Sequence, residues 1–314
     1  MRIVFFGTPE LAVPSLEAVA ESHTVVAVVC QPDRPKGRSG SPTPPPVKVW
    51  AEDNGIPVHQ PTKLNDGTFE HWLREQAPDA CAVVAYGRIL KQPILDIPKH
   101  GYYNMHPSLL PRWRGPSPMQ SAVMAGDQET GVSIIRLILD MDAGDLVLQQ
   151  RTPIGDDEDA VALTERLSKL GAHMLADALD QVAAGTATFT PQDHAAATYC
   201  TMLSKQHGYI DWTRPAKELA AQVRGAVPWP VAQSLFRGEL FKIYNATSIC
   251  DGDISAPGTI TVITPDALHV ATGDGTLAIT KLQAPGKRAM TVREYLPGAR
   301  ITVGEQFHTP TGDA

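Results

Sequence analysis

The sequence predicts an α/β protein in two parts, a Rossmann-like N-terminal domain followed by a small OB-like β-barrel. Two observations carry that expectation. Through the first half, short continuous apolar runs alternate with helical patterns, as parallel strands covered on both faces do. Beyond residue 225, β-type patterns follow one another, and a small barrel or sandwich fits them better than a second Rossmann unit.

Taken in order, "RIVFF" at 2–6 reads as a buried strand running into "GTPE", with a helical pattern in "PSLEAVAE" after it. "TVVAVVC" at 24–30 is a second apolar strand, 68–76 a helix, and "DACAVVAYG" at 79–87 another strand. The Gly-rich dinucleotide fingerprint is missing after the first strand, where Gly7 serves only a close turn. "GVSIIRLI" and "DLVLQQ" read as strands joined by "LDMDAG". From Glu158 to Ala187 the pattern is helical, with Leu163, Leu167, Leu170, Met174 and Leu175 forming an apolar face. A polar, irregular stretch then ends near "IDW" and reads as a linker. "PAKELAAQVRGA" is a helix, with Pro215 near its start and Gly225 near its end. "LFKIYNA", "GTITVIT", "ALHVATGDGTLAITKLQ" and "ARITVG" complete the β-rich part, with a hairpin at "TGDG". The division expected is 1–190 catalytic, 191–207 linker and 208–314 barrel.

With 314 residues, 43% of them hydrophobic and 19% charged, the chain is long enough for two ordinary cores. The 27 prolines fall between the apolar runs, as rigid turns do. The opening apolar run is too short for a signal peptide, and no later run approaches the roughly 20 residues that span a bilayer. Cys30, Cys81, Cys200 and Cys250 are scattered, with neither metal-ligand nor disulfide spacing; Cys30 and Cys81 border apolar runs and read as buried thiols, and a cytoplasmic location is expected. A net charge of -7 taken alone speaks against a nucleic-acid partner. The charge is unevenly spread, however, and residues 204–314 carry 11 Lys and Arg against 10 Asp and Glu, which leaves room for a local basic face.

"GYYNMHPSLLPRWRGPSPMQ" at 101–120 concentrates the chemistry. Asn104 and His106 lie two apart, which on an extended segment points both to one side. Asp142 sits in the turn between two strands, where parallel-sheet proteins gather site residues. Transfer of an acyl group to an amine needs a proton carrier, a donor to the developing oxyanion, and a carboxylate that steadies the imidazole. From pattern alone the three read equally well as a turn cap, a half-buried structural histidine and an Asx turn. No metal-ligand spacing competes.

"AYG", then "N-x-H" with "HPSLLPRWRG", then "LDMDAGD", resembles the folate-dependent formyltransferases. "QPDRPKGR", "LSK…IDW" and "LQAPGKRAM" are similar to the members that act on methionyl-tRNA, so the resemblance runs along nearly the whole chain. It implies transfer of the formyl group of 10-formyltetrahydrofolate to the α-amine of methionyl initiator tRNA, with Asn104, His106 and Asp142 as the catalytic set and no covalent enzyme intermediate. It implies a folate pocket at Tyr86, Gly87, Ile89, Leu90, Ser108, Leu109, Leu110, Pro111, Asp140 and Asp145.

For tRNA it implies Arg34, Lys36 and Arg38 in the loop after the second strand, Arg112 and Arg114 beside the site, and Lys205, Arg224, Lys287, Arg288 and Arg293 in the barrel. Many relatives continue this loop as "GRGKKL", whereas this chain reads "GRSGSP", two positive charges fewer. Rival readings are an amino-sugar formyltransferase, a hydrolase of the same donor, and a non-catalytic RNA-binding module. Nothing demands more than a monomer.

Overall fold

The computed structural model describes residues 1–35, 42–250, 252 and 254–310. They group into two compact units. The first comprises Met1–Gly115, Glu129–Pro153 and Thr164–Cys200, and the second Pro116–Gln128, Ile154–Leu163 and Thr201–Ala314.

The chain begins with β1 (Arg2–Gly7), α1 (Val13–Ser22), β2 (Thr24–Val29), a small antiparallel pair β3 (Arg34–Pro35) and β4 (Pro42–Thr43), α2 (Pro46–Asp53) and β5 (Val58–His59). Then come α3 (Thr68–Gln76), β6 (Ala80–Val84), α4 (Gln92–Leu95), β7 (Tyr102–His106), α5 (Pro118–Met124), β8 (Glu129–Arg136), β9 (Leu146–Pro153) and α6 (Ala160–Ala184). The sheet of the first unit has the order β5-β2-β1-β6-β7-β8-β9. Its strands are parallel from β5 to β7, as the apolar runs predict, but β8 and β9 are antiparallel, so the sheet is mixed. On one face Val4, Phe6, Val29, Cys81, Val83 and Tyr102 pack with Phe69 and Leu73 of α3. Phe6 anchors this layer, with ring contacts to Phe69, Tyr86 and Tyr102. On the other face α6 lies so close to Met105 that a Cβ at Gly171 would come within 2.7 Å of its Cγ. Gly7 has the close approach expected of it, since a Cβ there would meet Val84 O at 3.1 Å.

Asp159 caps α6 by accepting the amides of Val161 and Ala162, so the helix begins two residues later than its pattern suggests, and Gly185 at φ 70° ends it early.

The second unit adds α7 (Ala216–Gly225), β10 (Ala232–Phe236), β11 (Glu239–Ile249), β12 (Ile260–Ile263), β13 (Leu268–Ala271), β14 (Thr276–Gln283), β15 (Met290–Thr291), α8 (Val292–Ala299) and β16 (Phe307–His308). Its sheet runs β12-β13-β14-β11-β10-β16. Phe307 N donates to Gly258 O and Ile260 N to Glu305 O, joining the two edges of this sheet. Inside, Phe236 and Phe307 stack, Phe241 meets both edge-on, and Trp212 tilts against Phe307 while its indole donates to Ser234 Oγ. α5 packs against α7, where Gly225 leaves room for Met124.

"ARITVG" is not a strand. Thr291 and Glu294 form a reciprocal cap that starts α8, and Arg300, at φ 45°, ends it, after which Glu305 N donates to Thr302 O to close a turn. The helices α2, α4 and α5 also lie outside the expected set. Each is short and has a proline in its first turn, where a missing amide hydrogen costs nothing.

Among the described residues, no helix is long and apolar enough to cross a membrane. Cys30 and Cys81 are buried, and burial pushes the Cys30 thiol up to about 11 and the Cys81 thiol higher still.

Candidate active site

β7 is held between two neighbours, Asn104 pairing with Val83 of β6 and with Ile135 of β8. The alternation of an extended strand turns Asn104 and His106 the same way. His106 is 4% exposed, and its two ring nitrogens have different partners. Nε2 lies 2.9 Å from Trp113 O, and Nδ1 lies 3.6 Å from Asp142 Oδ2. A carbonyl can only accept, so Nε2 carries the hydrogen and Nδ1 keeps the lone pair in the neutral ring. A proton gained at Nδ1 would sit beside the Asp142 carboxylate. The Asn104 carboxamide is half-buried and has no hydrogen-bond partner among the described residues.

Asp142 reaches His106 from the turn between antiparallel β8 and β9, not from the carboxyl end of a parallel strand. That turn is tightly held. Asp142 stands at φ 52°, and its Oδ2 accepts the Gly115 amide at 2.8 Å. Trp113, at φ 62°, and Ala85, at φ 48°, are left-handed as well. Such conformations cost about 1–3 kcal/mol each in non-glycine residues and persist where surrounding contacts impose them.

A buried amide supplies some of those contacts. Gln192 Nε2 donates to the carbonyls of Asp142 and Gly144 at 2.8 and 2.7 Å, while Gln192 Oε1 accepts from Arg114 Nε and Nη2. Arg114 Nη2 also lies 3.0 Å from His194 Nδ1. The Arg114 backbone pairs with Thr198 and Cys200. Gln192, His194 and Thr198 have no pattern in the sequence, where they fall in a polar irregular stretch.

The expected folate residues divide in the structure. Tyr86 and Leu90 put their side chains into the core, so only their backbone could line a pocket. Burial pushes the Tyr86 phenol up to about 12, and its carbonyl accepts from Thr8 and Gln31. Ser108 and Leu110 are also buried, their polar atoms engaged by Arg112 O, Ser133 and Gln149. Gly87, at φ 78°, and Asp140 are exposed, whereas Leu109, Pro111 and Asp145 are half-buried.

Ile89 is 82% exposed, and Ile138, Leu139 and Met141 are exposed in the turn that carries Asp142. Apolar side chains left in water on these two segments, with the open Asn104 amide, suit a flat, partly apolar ligand such as a pterin. Among the described residues, no group of three or more His, Cys, Asp or Glu could hold a metal ion.

The expected tRNA residues differ in their surroundings. Arg34, Lys205 and Lys287 are exposed, and Arg112 is exposed with its guanidinium 4.6 Å from the centre of the Trp113 ring. Arg114 is 3% exposed, its guanidinium turned inward onto Gln192 and His194. Arg224 is half-buried, its proton affinity lowered by burial, in a hollow of about 280 Å³ also lined by Asp156, Asp157 and Lys217. That hollow, not open surface, is what its guanidinium meets. Arg288 is paired with Glu294 and Arg293 with Asp266, so an RNA phosphate would compete with a carboxylate at both. Lys36 and Arg38 lie outside the described residues.

Residues 1–179 match the Formyl transferase family, and residues 202–300 match the Formyl transferase C-terminal domain. The methionyl-tRNA formyltransferase of Citrifermentans bemidjiense is 44% identical over 97% of this chain and 95% of its own length. That of Myxococcus xanthus is 43% identical over 97% of each. Among solved structures, the sugar 3N-formyl transferase WlaRD superposes with a TM-score of 0.68 at 17% identity, covering 92% of this chain and 99% of its own. The N-formyltransferase from Helicobacter canadensis gives 0.67 at 18% over 89% and 98%. These two share the fold with this chain at an identity too low to carry more. With both halves matched in order and relatives above two-fifths identity from end to end, this chain belongs to the formyl transferase family.

Proposed function

We propose that this chain transfers the formyl group of 10-formyltetrahydrofolate to the α-amine of methionine esterified to initiator tRNA. The observation that carries the acceptor is the similarity to methionyl-tRNA formyltransferases, which spans both units instead of stopping at the first. The geometry around His106 supplies the chemistry. Bound 10-formyltetrahydrofolate brings an electrophilic formyl carbon. Asn104 Nδ2 donates to the formyl oxygen as charge gathers on it, in a site whose carboxamide has no competing partner. The hydrogen bond from Nε2 to Trp113 O fixes the His106 ring, so Nδ1 is the atom that takes the proton shed by the attacking amine and delivers it to N10 of the folate as the bond from the formyl carbon to N10 breaks and tetrahydrofolate leaves. Asp142 stabilises the imidazolium from 3.6 Å and does not itself need to be protonated. Neither serine nor cysteine is required as a nucleophile. The second unit contributes affinity for the tRNA body, so neutralising its exposed Lys205 and Lys287 should raise KM for tRNA more than it lowers kcat.

The test follows a radiolabelled formyl group to methionyl initiator tRNA, free methionine, nucleotide-linked amino sugars and a control without acceptor. Label is expected on the methionyl-tRNA alone. Asn104→Ala should lower kcat by about 10²–10³-fold and His106→Ala by about 10²–10⁴-fold. Label on a sugar, or formate released without an acceptor, would overturn the acceptor assignment.

A further inference from the structure

We propose that Gln192, backed by Arg114, is a positioning residue for the reaction: it holds the turn of Asp142 in the left-handed conformation that sets the carboxylate against His106. The proposal rests on reading Asn104, His106 and Asp142 as the transfer set.

Three observations converge on it. The two donors of one buried carboxamide are both spent on the same turn, at the carbonyls of Asp142 and Gly144, either side of Ala143. Two contacts on one tight turn fix its orientation as well as its position, and Gln192 is 5% exposed, so water does not compete for them. Next, Asp142 is strained at φ 52° in a stretch whose neighbours Asp140 and Met141 are exposed, so without a brace the turn could relax toward ordinary backbone.

The third observation is Arg114. It is 3% exposed, yet its guanidinium meets the neutral acceptors Gln192 Oε1 and His194 Nδ1, and no carboxylate pairs with it among the described residues. A buried cation without an acidic partner is a cost that folding alone has no reason to bear. At this place it polarises the Gln192 amide and ties it to the bend at Gly115, whose amide donates to Asp142 Oδ2. Arg114 and Gln192 therefore hold Asp142 from two sides, through its carbonyl and through its carboxylate. Neither residue needs to touch substrate. A misplacement of the carboxylate by about 1 Å is enough to cost on the order of 10²-fold in rate.

The experiment measures kcat and both KM values for formylation of methionyl initiator tRNA by Gln192→Leu, Asp142→Asn and the double variant. Gln192→Leu is expected to lower kcat by about 10- to 100-fold with both KM values within about twofold. In the Asp142→Asn background the same change should add less than about threefold, because what it positions is already gone. Equal losses in the two backgrounds, or a loss carried by KM, would overturn the proposal.

Gln192→Glu covers the case in which the leucine variant does not fold. Glutamate keeps an acceptor for Arg114 and so should hold a Tm above that of the leucine variant, yet it offers acceptors where the two carbonyls need donors. Its kcat is expected to fall as far as that of the leucine variant, and wild-type kcat would sink the idea. If Asp142→Asn alone keeps full activity, the reading of the transfer set fails first, without reference to any Gln192 variant, and the proposal falls with it.

Discussion

At Gly115 the site leaves no freedom to the sequence. Its φ is 119°, and a Cβ built there would lie 2.2 Å from Cys200 O, a backbone atom that cannot step aside alone. Its amide also donates to Asp142 Oδ2, so an added methyl group would disturb packing and the carboxylate together. Gly115→Ala should therefore cost about 2–4 kcal/mol in stability and most of kcat. Gly55 is the control, because it too has a positive φ, 69°, but a Cβ there meets nothing within 4 Å. Gly55→Ala should cost about 1 kcal/mol and leave kcat alone. Thermal melts and initial rates on both variants check this, and equal losses would show that φ, not the Cys200 contact, decides.

Legibility at this scale follows distance along the chain. Asn104 and His106 are two residues apart on one strand, where the period of the strand places them together. Asp142 is legible by resemblance, whereas the rule that site residues gather at the ends of parallel strands does not account for its position. Gln192 lies 78 residues from Arg114 and 50 from Asp142, and no local pattern links partners so far apart.

Among the elements, those with a full period are readable and those defined by a single turn are not. The 68–76 helix has the bounds its pattern gives, and the "TGDG" hairpin forms between β13 and β14. "ARITVG" alternates like a strand, but the cap at Thr291 and Glu294 commits the residues before it to α8, and Glu305 then organises the turn after it. The Glu305 carboxylate accepts from Arg237 Nε and Nη2 and from the Thr302 amide, and its own carbonyl helps to join the barrel's edges.

Arg237 first, and the Thr302 amide second, hold the Glu305 carboxyl down at about 2 from an ordinary 4.5. A depressed carboxyl stabilises the fold fully above its unfolded value and loses that contribution as pH falls through its folded one. Glu305→Gln should thus be less stable than the wild type by about 1 kcal/mol at neutral pH, after allowance for solvent screening. The gap should close as pH drops from about 4.5 toward about 2. Urea unfolding of both proteins across that range is the check, and a gap that stays constant would assign the effect to shape instead of charge.

The whole molecule carries a net charge of -7, yet its proposed acceptor is a polyanion. Long-range attraction cannot supply the affinity, so it must come from a few local cations. Several candidates are already engaged within the protein. Arg114 is buried on Gln192, Arg224 sits in a hollow with Asp156 and Asp157, and Arg288 and Arg293 are paired with carboxylates. The loop after β2 is then the place where added charge should matter most, and there the chain has Gly40 and Ser41 where the family resemblance implies two lysines.

Restoring them as Gly40→Lys with Ser41→Lys should lower KM for methionyl initiator tRNA at low salt. It should also steepen the dependence of log KM on log salt by about 1.4–1.8, the sum of roughly 0.7–0.9 for each phosphate neutralised. Because neither position belongs to the transfer set, kcat at saturating tRNA should not change. A lower KM with an unchanged slope would mean that the lysines act other than by displacing counterions from phosphate. An unchanged KM and slope would mean that this loop does not bear on the tRNA backbone, and the search for the phosphate-binding cations would move to Arg34, Arg112, Lys205 and Lys287, which the fold leaves exposed.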